Sequence, residues 1–522
     1  MSVAARNLMR SGQMPLFAAD QVRELDRRAI EQDIDGFALM RRASGTAWRW
    51  LKARWPGARS LTVFCGSGNN GGDGHVLAAL AAQEGRRVQR YSLVPRERLS
   101  GDALKAARMA DEAGVEWLDW RSDASIDGDV IVDAMLGTGF QGELRAPYVV
   151  AIEAINGTGC PVLAIDIPSG VNADGAAAGD IAIKADVTVT FITDKLGLYT
   201  GGGAAHSGEV VVEPLGLDAM AHEDITPIAW RLTPECLAEM LPPRPRDIHK
   251  GALGFAGIIG GAPGYGGAAL LAAEACARIG AGRVMLATAP EHVTASLVRC
   301  PEVMARGLIH ATQLPPLLAS LSVLAIGPGL GQSSWGQAML QCALERSLPM
   351  VVDADALNLL ASRFTSMQDT TAHDTTLQRD DWILTPHPGE AARLLDCSVA
   401  EVEADRPGAA RQLQQRFGGV VVLKGAGTLI CGPRGLALCP YGNPGMASGG
   451  TGDVLTGFIA GLVAQGLELE QAAQCAVLVH ALAGDRAAGQ AGERGLLASD
   501  LASCARNLIN PTMGEDDAAA TR

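Results

Sequence analysis

What most constrains the fold of this chain is a unit that recurs along both halves. A short apolar run is followed by a turn of glycine, proline or aspartate, then by an alanine-rich stretch with apolar residues three or four apart. Ser60-Leu-Thr-Val-Phe-Cys65 runs into Gly66-Ser-Gly-Asn-Asn-Gly-Gly-Asp-Gly74 and a helical stretch expected from His75 to about Glu84. Asp129-Val-Ile-Val-Asp133 runs into Ala-Met-Leu-Gly-Thr-Gly139, and Pro161-Val-Leu-Ala-Ile-Asp166 into Ile-Pro-Ser-Gly170. In the second half the same punctuation follows Phe255–Ile259, Ser322–Ile326, Met350–Asp353, Trp382–Thr385 and Val420–Leu423. Runs that are apolar on both alternations are strands covered on both faces, which means parallel strands with helical crossovers. The expected class is therefore α/β, with ligands at the carboxyl ends of the strands.

At 522 residues the chain is long enough for two large domains. Strand signals stop over residues 216–250, and Pro242-Pro-Arg-Pro245 breaks any helix, so domains of 1–225 and 226–522 are expected. The polar, Thr-rich stretch Thr365 to Arg379 lacks an apolar period and is expected to be an exposed loop insertion. A net charge of −14 argues against nucleic acid or an anionic membrane as the main partner. There is no apolar run long enough for a membrane span, and residues 1–15 have no signal-like apolar core. The 11 cysteines form no C-x-x-C pair, so reduced thiols in a cytoplasmic protein are expected.

In the first half, Gly66, Gly68 and Gly71 satisfy G-x-G-x-x-G, a weak signal alone. The following strand, Val88 to Val94, lacks the terminal acid of an ordinary NAD site. More telling are Asn69, Asn70 and Asp73, whose oxygens suit a hard cation and whose amides suit phosphate. Asp133, Asp166, Ser169 and Asn70 are expected around one pocket at the sheet edge, with Lys195 within reach.

In the second half, Asn443-Pro-Gly-Met-Ala-Ser-Gly-Gly-Thr-Gly-Asp453 precedes the helical run Val454–Val463. Its glycines and the helix N-terminus make an anion cradle. Asp453 beside that cradle repels an anion unless it takes a proton from an attacking hydroxyl, with a metal ion screening the charge. No Walker phosphate loop is present. Lys424, at a strand end before glycines, is a candidate phosphate contact, and His387, held between two prolines, a candidate ligand contact. His480 and Asp485 are read as packing residues of a helix.

The motifs G-x-G-N-N-G-G-D-G, D-A-M-L-G-T-G-F, D-I-P-S-G and T-V-T-F…K-L-G-L, over roughly residues 20–215, resemble the epimerase domain of the bifunctional NAD(P)H-hydrate repair enzymes. The resemblance implies a Rossmann-like three-layer α/β/α domain that interconverts the R and S epimers at C6 of the hydrated nicotinamide ring. It implies a K+ site at Asn70, Asp133 and Ser169, and substrate contacts from Asn69, Asn70, Gly71, Gly72, Asp73, Gly137, Thr138, Gly139, Phe140, Gln141, Gly142, Glu143 and Asp166. Asp166 and Lys195 are the expected acid and base. Where the family has Glu after Leu-Met and then Ala-Gly, this chain has Arg41 and Ser44.

Residues 245–510 carry G-P-G-L-G, D-A-D-A-L-N, L-T-P-H-P-G-E, V-V-L-K-G and G-G-T-G-D-V-L-T-G. They resemble the ribokinase-like fold and, more closely, the dehydratase domain of the same enzymes. That implies ADP or ATP with Mg2+ on Lys424, Gly425, Ala426, Gly427, Thr428, Gly449, Gly450 and Gly452. It also implies hydrated nicotinamide against Ala268, Gly329, His387 and Asp453, with Asp453 catalytic. NAD(P)H hydrates and adenine nucleotide are thus the expected partners, in a homo-oligomer. The rival readings are a ribokinase-like kinase of a vitamin precursor joined to a ligand-binding α/β domain, and a non-enzymatic scaffold.

Overall fold

A computed structural model describes residues 12–31, 35–140, 142–175, 181–217, 225–368 and 378–510, with the side chains of 363–368 left aside. The chain divides into two compact units, Met14–Trp230 and Arg231–Arg522, the second including Gly12 and Gln13.

The first unit runs β1 (Gln13–Phe17), α1 (Ala19–Glu31), α2 (Gly36–Arg54), β2 (Ser60–Cys65), α3 (Asn69–Gln83), β3 (Arg87–Ser92), α4 (Gly101–Glu112), β4 (Trp117–Asp119), β5 (Val130–Ala134), α5 (Ala146–Thr158), β6 (Val162–Ile165), β7 (Val187–Phe191), β8 (Asp194–Lys195), α6 (Gly202–His206) and β9 (Glu209–Glu213). Its main sheet has seven strands, ordered β4-β3-β2-β5-β6-β7-β9 and parallel throughout. Alternate residues of β2 serve the two faces. Leu61, Val63 and Cys65 pack with Leu25, Leu51 and Leu77 of α1, α2 and α3, while Phe64 packs with Ile131, Tyr148 and Ile152. The result is the expected three-layer sandwich.

The sequence order of the strands reverses between β2 and β5, so the loops leaving these strands part and open a crevice at their carboxyl ends. Glycines set its depth. A Cβ at Gly66 would lie 1.9 Å from the Met135 carbonyl oxygen, and one at Gly71 2.1 Å from that of Gly66. The helix begins at Asn69, not His75, so Asn69 to Gly74 form its first turns rather than a loop. Low helix propensity misled. Gly72 and Gly74 are there because α3 presses on Met40 and Ala134, with 2.6 and 2.5 Å available for a Cβ.

A further short strand, β10 (Ala229–Leu232), and α7 (Cys236–Met240) lie in the stretch where strand signals fade. The second unit continues with β11 (Phe255–Ile259), α8 (Gly266–Arg278), β12 (Arg283–Thr288), α9 (Val293–Arg299), β13 (Met304–Gly307), α10 (Pro315–Leu318), β14 (Val323–Ile326), α11 (Ser334–Leu344), β15 (Met350–Val352), α12 (Ala354–Gln368) and β16 (Trp382–Leu384). It closes with α13 (Pro388–Leu395), α14 (Val399–Ala404), α15 (Arg406–Phe417), β17 (Val420–Leu423), β18 (Thr428–Gly432), β19 (Gly435–Cys439), α16 (Thr451–Ala464), α17 (Leu469–Ala491) and α18 (Ala498–Leu508). The strand order is β13-β12-β11-β14-β15-β16-β17-β18-β19, parallel up to β17 and antiparallel over the last two pairings. Of the expected insertion, residues 365–368 continue α12, 369–377 lie outside the described residues, and Arg379 is anchored by Asp381 and the carbonyls of Leu344 and Arg346. The strand order again reverses, between β11 and β14. Helix α16 packs on α8 with backbone-to-backbone closeness. A Cβ at Gly457 would stand 2.2 Å from the Ala272 carbonyl oxygen, and one at Gly461 2.8 Å from the Cys276 carbonyl oxygen.

Candidate active sites

In the first unit the crevice between β2 and β5 opens into a cavity of about 660 Å3, a size suited to a small ligand. Asn69, Asn70, Asp73, Gly137, Thr138, Gly139, Phe140, Glu143 and Asp166 line it. Gly71 and Gly72 are buried in α3 and serve the packing just described. Gly142 lies on the exposed loop after β5, and Gln141 is outside the described residues.

Asp133 and Ser169 are both fully buried and are not among the residues that line the cavity. The Ser169 hydroxyl and amide donate to the Asp133 carboxylate at 2.6 and 2.7 Å, and the Met135 amide donates at 3.1 Å. Burial nevertheless pushes the Asp133 carboxyl up to about 6. The Asn70 amide donates to the Leu136 carbonyl at 2.8 Å, yet its buried Oδ1 has no partner. An orphaned buried oxygen near a dry carboxylate is costly unless a cation fills the gap. The residues present therefore fit a monovalent cation with oxygen ligands. Among the described residues no cluster of three or more His, Cys, Asp or Glu offers a site of transition-metal type.

Asp166 and Lys195 come together. The Lys195 ammonium is fully buried and stands 2.9 Å from Asp166 Oδ1. It also donates to Thr190 Oγ1 at 2.5 Å and to the carbonyls of Phe191 and Thr193 at 3.1 and 3.3 Å. The Thr138 amide donates to Asp166 Oδ2 at 3.3 Å, so the other oxygen is directed to the cavity loop. Asp166 adopts φ +68°, a left-handed conformation that is uncommon for a residue with a side chain.

Two other carboxyls of the cavity wall carry raised proton affinity. Asp73 is buried and accepts a 3.1 Å bond from Ser44, the position where this chain departs from the family pattern. Burial holds its pKa well above the ordinary value, and the charges of Asp166 and Asp26 add to the effect. Asp26 of α1 lines the same cavity and is pushed up to about 6 by burial, with Asp166 adding and Lys195 opposing. Sequence reasoning missed it. Its signal was a carboxylate four residues after Val22, set within the buried stripe of Val22, Leu25 and Ala29.

In the second unit the reversal between β11 and β14 brings Ala268 and Gly329 side by side. Gly329 has φ +58°, and a Cβ there would lie 3.3 Å from that of Ala268. The ends of β15, β16 and β17 supply the charged groups. Lys424 Nζ stands 2.7 Å from Asp353 Oδ1 and 3.8 Å from Glu390 Oε2. Asp353 also accepts from Thr385 and Thr456 at 2.8 and 2.7 Å. Burial disfavours the Lys424 charge, but Asp353 and Glu390 hold its pKa above the usual value. His387 is half-exposed, its Nδ1 accepting from the Gly389 amide at 3.0 Å while Nε2 lies 3.4 Å from Glu390. Burial and the Lys424 charge lower its pKa, so it stays neutral at physiological pH.

Asp453 is the third residue of α16, whose N-cap is Gly450 at φ +97°. Its side chain makes no hydrogen bond among the described residues and so is not a cap. Burial pushes its carboxyl up to about 7, with Asp353 adding, Lys424 opposing, and Asp355 and Glu390 adding further. Gly452 faces Lys424, whose ammonium would be 3.5 Å from a Cβ there, and Gly449 is open. Gly425 and Gly427 have φ +139° and +64°, Ala426 is exposed, and Thr428 bonds back to the Gly425 carbonyl at 2.9 Å. The residues brought together are thus Lys424, Gly452 and Asp453, joined by Asp353, Asp355 and Glu390, which the sequence reading had not singled out as chemical groups. Asp485 does more than pack: it accepts from the Gly442 amide and the Asn443 side chain and so anchors the glycine loop. His480 is half-buried, its Nε2 2.9 Å from the Thr451 carbonyl.

Residues 256–507 match the family model described as NAD(P)H-hydrate dehydratase, and residues 36–197 the model described as YjeF-related protein N-terminus. The bifunctional NAD(P)H-hydrate repair enzyme Nnr of Coxiella burnetii is 48% identical, over 95% of this chain and 99% of that protein. The Escherichia coli K12 protein of the same name is 40% identical, over 94% and 93%. A solved structure of the ADP/ATP-dependent NAD(P)H-hydrate dehydratase from Bacillus subtilis, co-crystallised with ATP and Mg2+, is 31% identical, covers 53% of this chain and 96% of that one, and has a TM-score of 0.47.

Proposed function

The chain belongs to the family of bifunctional NAD(P)H-hydrate repair enzymes, and from that premise we propose that its two units divide the repair between them. The first unit interconverts the R and S epimers of hydrated NADH or NADPH. The second dehydrates the S epimer with ADP or ATP, giving NAD(P)H, phosphate and AMP or ADP. The observation that carries the second half is the position of Asp453, an uncapped carboxyl in the first turn of α16, beside Lys424 and after an open glycine loop.

A hydroxyl is a poor leaving group, and its phosphate ester is a good one. Asp453 takes the proton of the C6 hydroxyl as that oxygen attacks the terminal phosphorus. The backbone N–H groups of Gly449, Gly450 and Gly452 at the start of α16 stabilise the charge on the transferred group. The ester then leaves as phosphate, driven by the ring-nitrogen lone pair, and loss of a C5 proton restores the ring double bond. Ala268, Gly329 and His387 border the ring, and Lys424 to Thr428 hold the nucleotide. Asp353, Glu390 and Asp453 face Lys424, with Asp355 close enough to act on Asp453, a surplus of negative charge that fits a divalent cation carried on the nucleotide. Mg2+ supplies charge neutralisation there.

In the first unit Asn70, Asp133 and Ser169 hold K+, which supplies a fixed positive charge near the substrate. Asp166, oriented by Lys195, moves the proton. We take the setting to be cytoplasmic and the assembly a homo-oligomer. All eleven cysteines are free thiols, which suits a reducing compartment.

The defining test is to give the full chain the S hydrate with ADP or ATP and follow the near-ultraviolet absorbance of the dihydronicotinamide. Its return supports this reading. Nucleotide consumption only with an alcohol acceptor, without that return, means a kinase instead. The cation site has its own readout. K+ should raise the melting temperature of the first unit's transition by a few degrees over Li+ at equal ionic strength. The rise should vanish in Asp133→Asn and Asn70→Ala. Equal melting in both salts for the unsubstituted protein would remove K+ from the scheme.

A further inference from the structure

The epimerase cavity holds more proton-carrying groups than the pair so far given work. Inversion at C6 has a definite chemical demand. C6 bears both the hydroxyl and the ring nitrogen, so it is a hemiaminal carbon. Its C–O bond can break with the nitrogen lone pair forming N=C, the oxygen taking a proton and leaving as water. Water then adds to the other face of the planar carbon and gives up a proton. Atoms and protons balance, but two groups are needed, an acid beside the leaving oxygen and a base beside the entering one. Their roles exchange in the reverse direction.

Asp166 is tied to the Lys195 ammonium at 2.9 Å and provides one group. Of the other carboxyls on the cavity wall, Asp73 is buried and committed to Ser44, while Glu143 is exposed on the loop after β5. Asp102, on α4, accepts from the Lys105 ammonium at 2.7 Å in a surface pair. Asp26 differs from all of these. It projects from α1, a different wall from the loop that carries Asp166, and it is half-buried. Among the described residues it has no hydrogen bond and no ion pair, although it sits in the buried stripe of an amphipathic helix, where an unpartnered carboxyl is a cost without packing benefit.

We propose that Asp26 is the second proton-transfer residue of the epimerase cavity, working with Asp166 across C6 of the hydrated nicotinamide. This rests on the epimerase reading of the first unit. Burial first, then Asp166 and Lys195, set its proton affinity, and Asp73 on α3, Arg23 one turn back on its own helix and Arg145 at the start of α5 are the other charged groups on the wall around it. Its raised pKa lets it carry a proton near neutrality, which a surface aspartate does not.

The test uses the full chain without nucleotide, so that only epimerisation runs, with R and S hydrates separated by chromatography. Asp26→Asn should lower epimerisation at least about 100-fold, while dehydration of purified S hydrate with ADP stays at the unsubstituted level. The limb of the kcat/KM profile near pH 6 should disappear in the residual activity, and Asp26→Glu should recover part of the rate. Unchanged epimerisation in Asp26→Asn overturns the proposal. So does a slowed variant whose pH profile keeps its shape, because that assigns Asp26 to packing. Absence of epimerisation by the unsubstituted chain would instead sink the reading on which the proposal stands.

Discussion

Asp453→Asn should lower dehydration of the S hydrate by at least about 100-fold, and up to about 10,000-fold, while nucleotide still binds. Asn keeps the shape and a hydrogen-bonding side chain but cannot accept the hydroxyl proton. Nucleotide affinity should hold or improve, since the substitution removes a negative charge from a site that already has Asp353, Asp355 and Glu390. The unsubstituted enzyme should show the same chemistry through pH. Its Asp453 carboxyl is pushed up to about 7, so the proton-accepting form is depleted as pH falls through that value. The kcat/KM for dehydration should therefore decline on the acid side of pH 7, tenfold per unit once well below it, with no such limb in Asp453→Asn. Undiminished dehydration by the variant, measured by recovery of dihydronicotinamide absorbance, would remove Asp453 as the base.

Lys195→Met and Asp166→Asn should both abolish epimerisation, and both should lower stability. The Lys195 ammonium is fully buried and serves Asp166, Thr190 and two backbone carbonyls. Removing one member of a buried ion pair leaves the other charge uncompensated, at a cost of about 3–5 kcal/mol. For a domain of this size that corresponds to a drop of roughly 6–20 °C in melting temperature. Asp166→Asn leaves the buried Lys195 ammonium without its counter-charge, although Thr190 and two backbone carbonyls still accept from it, so its melting temperature should fall as well. Paired calorimetry and epimer analysis decide the matter. Full epimerisation by either variant, folded, would break the assignment of this pair.

The layering, the parallel strands and the crevice positions were legible because they follow from apolar runs and glycine turns that need no partner to be recognised. Asp133, Asp166 and Ser169 were readable for the same reason, being strand-end residues that a parallel sheet must bring to one edge. Helix α3 was misplaced because Asn69 to Gly74 have poor helix propensity, and only the approach of Met40 and Ala134 shows why glycine is needed there. Short β10 escaped because Ala229–Leu232 has too few residues for alternation to register. Asp353 and Glu390 ended or followed recognised strands, but their importance lies in the distance to Lys424, which crosses about seventy and about thirty residues of chain. Asp26 escaped because a carboxylate within a helical stripe reads as the polar side until its surroundings are known.

The glycines of α16 have a mechanical consequence. With Gly457 and Gly461 seated against the backbone of α8, the helix is keyed in position by main chain rather than by adjustable side chains. The reach of its first-turn carboxylate to a phosphoryl group is thus inherited from contacts more than one helical turn away. A single methyl added at Gly457 should tilt that helix and slow turnover without touching any group that meets the ligand.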